Sequence, residues 1–183
     1  MLKFWKNGNA NETKEVLAEN EKVQEQLERW LAEEGFTIEK RLDGNSSFRY
    51  WVTRTGSPKF SVLQPINKSD IILIESAVTF DGHEEVFSAI ADQTRSLSWE
   101  LQSHLLSIGF YYKIQPPDSQ SNKPGAIFFA KPIYYDGLSK DRFLEATHQT
   151  MNTVVFVILT VQRHMAPSAK NPNGKHSNIP YLS

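Results

Sequence analysis

The chain has 183 residues, 39% of them apolar and 22% charged, with no cysteine and a formal net charge of -1. It is long enough to bury one core unaided, while the missing cysteine excludes disulfides, thiolate metal sites and cysteine nucleophiles. The near-neutral charge gives no general attraction to nucleic acid or to acidic membranes.

Residues 1–11 are polar and Asn-rich apart from Leu2, Phe4 and Trp5, and read as a flexible lead-in. No apolar stretch follows Lys3 and Lys6, so no secretory signal is expected and the protein reads as cytoplasmic. From Glu12 to Glu34, Val16, Leu17, Val23, Leu27, Trp30 and Leu31 mark one face of a helix. Gly35 stands where a left-handed C-terminal cap belongs. This helix carries eight acids and three bases, which a solvated outer face accounts for.

Between Phe36 and Phe80 the period changes to two. "FTIEKRL", "SFRYWVTR", "KFSVLQ" and "DIILIESAVTF" are aromatic or β-branched and are separated by turn residues, the pattern of successive antiparallel strands. The last two are divided at Pro65 and read either as one bent strand or as a hairpin. A helix is expected from about Gly82 to Ile108, ended by Gly109. Two strands follow, "FYYKIQ" and "AIFFAKPIYY", joined by the flexible loop "PPDSQSNKPG"; Pro132 marks the second as an edge strand or a bulge.

The final helix is expected from about Leu138 to His164, with Ser139 as its cap. Its centre, Thr153 to Val161, lacks a strongly polar side chain for about nine residues, roughly 14 Å as a helix, too short for a bilayer core of about 30 Å. Phe156, Val157 and Leu159 lie outside its main apolar stripe, so more than one neighbour is expected to cover it. The tail from residue 166 has little to bury and is expected to be disordered.

The expectation is therefore a single α+β domain over residues 12–165: two layers, an antiparallel sheet with three helices in the order α-β-β-β(-β)-α-β-β-α. Both faces of the sheet carry apolar residues. Ile72, Ile74, Val78 and Phe80 point one way while Ile71, Leu73 and Ala77 point the other; Trp51 opposes Tyr50 and Val52, and Ile127 and Phe129 oppose Phe128. Either a helix crosses to the second face, or a second copy or a peptide partner covers it. Trp51, Leu63, Ile71, Leu73, Ile127 and Phe129 are the candidates for that partner-binding or dimer surface.

Chemistry is sparse. Glu100 and His104, four apart on a helix, and His148 beside Glu145 are the residues an enzyme would use, but two ligands do not make a zinc site. His83, Glu84 and Glu85 at a helix start supply no third ligand at a telling spacing. Neither a nucleophile elbow nor a phosphate-cradling glycine loop is present. No cofactor or metal is expected. Glu75, amid Ile71, Ile72, Leu73 and Ile74, is expected to reach solvent at a strand end.

The helix ending "RWLAEEGF", the strands "YWVTR" and "KFSVLQPINKSDIILIESAVTF", the middle helix, the paired strands and the final helix together resemble an archaeal family of uncharacterised domains with the type III secretion chaperone-like fold. The resemblance covers residues 12–165 and rests on segment order and character. It implies a homodimer with a surface for extended segments of a partner protein. The reading that follows is a noncatalytic, chaperone-like protein-binding module. The alternative is a small-molecule-binding or hydrolytic enzyme with a pocket near Glu100, His104 and His148.

Overall fold

A computed structural model describes residues 10–80, 84–91, 96–118 and 125–165. The expected disordered tail, His83 and most of the loop before residue 125 lie outside the described residues.

The first helix, α1 (Ala10–Glu33), runs from the first described residue and is closed by Gly35. There φ is 75°, open to glycine without strain. The Gly35 and Phe36 N–H groups donate back to the Ala32 and Leu31 carbonyls at 3.0 Å, closing the helix end. Four strands follow: β1 (Thr37–Arg41), β2 (Ser46–Thr53), β3 (Phe60–Pro65) and β4 (Ile71–Phe80). The third and fourth are separate, antiparallel and paired through Ser61–Glu75, Val62–Ile74 and Leu63–Leu73, with the turn at residues 66–70 between them.

Of the middle helix expected from about Gly82 to Ile108, two stretches are described, α2 (Glu84–Ala91) and α3 (Ser96–Ser107), while residues 92–95 between them lie outside the described residues. Gly109, with φ of 72°, closes α3 as Gly35 closes α1. Strands β5 (Tyr111–Gln115) and β6 (Gly125–Tyr134), a 3₁₀ turn (Tyr135–Gly137) and α4 (Lys140–Met165) complete the chain. Ser139 caps α4, its Oγ accepting from the Arg142 N–H at 3.3 Å.

The six strands form one antiparallel sheet in the order β1-β2-β3-β4-β6-β5. Strand β6 is therefore interior, not an edge. Pro132 is tolerated because β5 stops pairing at Ala130, so beyond that point β6 has only β4 beside it.

The described helical stretches all pack on the same face of the sheet. One core cluster joins Leu27 and Leu31 of α1 to Tyr50, Val62, Ile72 and Ile74 of the sheet and to Phe143 and Met151 of α4. The Tyr50 hydroxyl donates to the Glu28 carboxylate at 2.7 Å, tying α1 to β2. A second cluster joins Val86, Phe87, Leu97, Leu101 and Leu105 of α2 and α3 to Val78, Ile127 and Phe129 and to Val154, Val157 and Val161 of α4. Helix α4 thus serves both halves. Its buried Thr147, Thr150 and Thr153 donate their hydroxyls to the carbonyls four residues earlier at 2.7–2.9 Å, which lets a helix with polar side chains lie in a core. The cover is narrower than expected, for Val155 and Leu159 are exposed among the described residues. Both turn away from the sheet, where only a third layer would reach them.

Candidate functional site

No described helix lies over the other face of the sheet. Side chains directly opposite each other in an antiparallel pair share a face, so the register orders this surface into rows. One row runs Glu39, Trp51, Ser61, Glu75, Ala130, Tyr111 across all six strands; beside it lie Ala77, Phe128 and Lys113 on one side and Arg49, Leu63, Leu73 and Pro132 on the other. Small side chains occupy the middle strands and large rings flank them. The result is a trough of about 530 Å³, floored by Ser61, Ala77 and Ala130 and walled by Trp51 on β2 and by Phe128 and Tyr111 on β6 and β5. Trp51 is 48% exposed, Phe128 41% and Tyr111 56%. Tyr134, bonded to Tyr111, extends the second wall.

One ion cluster crosses the trough. The Arg49 guanidinium pairs with Glu75 and with Asp43, and the Ser61 hydroxyl donates to Glu75 at 2.9 Å. Glu75 therefore stands in mid-strand and not at a strand end; Arg49 and Ser61 are what make that position tolerable. Arg41 bonds Glu39 at 2.7 Å and lies over the Trp51 ring at 5.7 Å. Lys59 and Lys113 also line the trough, and among the described residues neither has a carboxylate partner.

Asp43 is held at about 2 by the Ser46 hydroxyl, the Asn45 N–H and the Arg49 guanidinium, all of which favour its charged form. A depressed carboxylate stabilises the fold fully above its unfolded value of 3.8, and that contribution disappears as pH falls from there through 2. Asp43→Asn should melt lower than the parent at neutral pH and lack this part of the acid decline. Thermal melts from pH 6 to 2 check it: parallel curves for the two proteins would remove Asp43 from the account.

Of the residues singled out from the sequence, Trp51, Leu63, Ile71 and Leu73 share the open face. Leu63 and Ile71 are nevertheless buried and belong to neither helix-side cluster. Ile127 and Phe129 stand on the other face, under the helices, because they pair with Val78 and Ser76 of β4. Phe128 takes their place on the open side. Arg49, Lys59, Tyr111 and Lys113 were not singled out; the alternation of β2 and β5 carries the signal for three of them.

The alternative set does not assemble. Glu100 pairs with Arg163 and bonds His164 at 3.1 Å, and both hold its carboxyl below the usual range. His104 stacks on Phe156 with ring centroids 3.7 Å apart. His148 is exposed on α4, sixteen residues before His164, roughly 24 Å along the helix. None of the three lines the trough or the smaller cavity of about 300 Å³ beside Lys131, Arg142, Glu145 and Gln149. Among the described residues no cluster of three His, Asp or Glu side chains is placed to hold a metal, and no helix is long and apolar enough to cross a membrane.

A family model described as "Uncharacterized conserved protein (DUF2299)" matches residues 23–161. A crystal structure of an uncharacterized protein from Methanothermobacter thermautotrophicus is similar, with a TM-score of 0.64 and 26% identity over 78% of this chain and 99% of that one. YbjN, a putative transcription regulator from E. coli, is similar in fold, with a TM-score of 0.53 and 16% identity over 76% of this chain and 91% of that one. No curated protein matches the sequence.

Proposed function

The chain belongs to the DUF2299 family of uncharacterised conserved proteins, and from that premise we propose that it is a noncatalytic, chaperone-like protein-binding module that works as a homodimer. One observation carries the reading: Trp51, Tyr111, Phe128 and Tyr134 stand exposed together on a sheet face that no described helix covers. Scattered surface rings are ordinary, whereas rings gathered around a trough mark a docking surface. Large aromatic side chains, tryptophan and tyrosine above all, are enriched among the few residues that carry most of the binding energy in protein interfaces. Self-association is supported by a second exposed apolar pair, Trp99 and Leu106, seven positions apart on the outer side of α3. The likeness to YbjN supports the fold alone, and the near-neutral charge favours a protein partner over DNA.

Size-exclusion chromatography with light scattering tests the assembly. The expected mass is twice that of the chain from 1 to 100 μM. A monomer throughout that range would overturn the homodimer.

A further inference from the structure

The register sets the size of what the trough admits, and its charges set the chemistry. The walls on β2 and β5 are four strand spacings apart, about 19 Å between backbones. That is room for one polypeptide segment laid between them. Ser61, Ala77 and Ala130 offer little for a side chain to grip except flat apolar surface. The polar groups of the floor are already committed to one another, Arg49 to Glu75 and Asp43, and Ser61 to Glu75. Among the described residues, Lys59 just before β3 and Lys113 on β5 have no carboxylate partner, and both are exposed and line the trough.

We propose that the trough takes an apolar segment of another protein flanked by carboxylates, the core of the segment lying between Trp51 and Phe128 and the acids pairing with Lys59 and Lys113. This rests on the protein-binding reading above and adds the chemistry of the partner. Charge selects this occupant over the two nearer at hand. Residues 1–9 carry Lys3 and Lys6 and no acidic side chain, and residues 166–183 carry Lys170 and Lys175 and no acidic side chain, so the side chains of either segment would bring like charge to the two lysines. A second copy laid face to face would bring its own Lys59 and Lys113, with its floor carboxylate already paired to Arg49. An acidic partner meets no such opposition, and two cations beside the trough would also speed its approach at low salt.

The test uses the full-length protein and three fluorescein-labelled 12-residue peptides with one common leucine- and phenylalanine-containing core, flanked on both sides by aspartates, serines or lysines. Binding is read by anisotropy and located by the methyl resonances of Ala77 and Ala130. The aspartate-flanked peptide should bind roughly tenfold more tightly than the serine-flanked one at low salt, since each exposed ion pair contributes a factor of about 1.4 to 5. The advantage should shrink in 0.5 M salt. Lys59→Glu combined with Lys113→Glu should reverse the ranking, and because both lysines are exposed the variant keeps its fold. Should the lysine-flanked peptide bind as well as the acidic one, or should the double variant leave the ranking alone, the acidic partner is overturned. If all three peptides bind equally and shift both alanines, the face binds protein but this partner chemistry is wrong; if none shifts them up to 1 mM, the protein-binding reading falls too.

Discussion

Exchanging Trp51 and Phe128 together for alanine should weaken binding of the aspartate-flanked segment by about 10²-fold or more while lowering the melting temperature by only a few degrees. Both rings are about half exposed in the free protein. Their truncation therefore removes only part of the roughly 1.5–3 kcal/mol that a fully buried large side chain contributes. At about 2–4 °C per kcal/mol for a chain of this size, the melting point moves little. Binding is different, because an aromatic anchor closed over by a partner contributes about 2 kcal/mol or more, and every 1.4 kcal/mol is a factor of ten. Phe129 supplies the contrast. One residue along from Phe128, it faces the helices at 2% exposure, so Phe129→Ala should destabilise by about 3–5 kcal/mol and affect binding only through unfolding. Anisotropy and thermal melts on the two variants read both quantities. A double variant that melts more than 10 °C lower with its affinity intact would place Trp51 and Phe128 in the core and not at a docking surface.

Phe143→Ala should be the most damaging single change in α4, at about 3–5 kcal/mol, against a total stability of about 5–15 kcal/mol. The ring is fully buried and lies 5.9 Å from that of Trp30, so its loss leaves a cavity between α1, α4 and the sheet that neighbours held by backbone ladders cannot collapse to fill. Leu159→Ala, on the same helix and of similar apolar character, should cost under about 0.5 kcal/mol because the side chain already faces out. Denaturant melts of both variants decide the matter, and equal losses would mean that the outer side of α4 is covered in solution.

The order of elements was readable because each is encoded locally. Gly35 and Gly109 close helices, Ser139 opens one, and the period of two persists from Phe36 to Phe80. The two faces within a strand were readable as well, which is why Trp51, Leu63, Ile71 and Leu73 fell together. The matching of faces between strands was not. Whether Phe128 or Phe129 joins Trp51 depends on the pairing of β6 with β4, and a shift of one residue exchanges the faces without changing the pattern inside either strand. The Arg49–Glu75 pair was hidden for the same reason, as its partners are 26 residues apart and meet only across β3.

The position of β6 beside β4 also bears on how the chain is made. Ten consecutive pairs join Ile71–Phe80 to Gly125–Tyr134, and α4, which contributes to both cores, comes after both. While a ribosome is still extending the chain, four strands can emerge with Ile72 and Ile74 lacking the α4 part of their cover and the flank of β4 unpaired. In the native sheet β6 takes that flank, so it stays open to non-native strand pairing until Gly125–Tyr134 have been made and have left the ribosome.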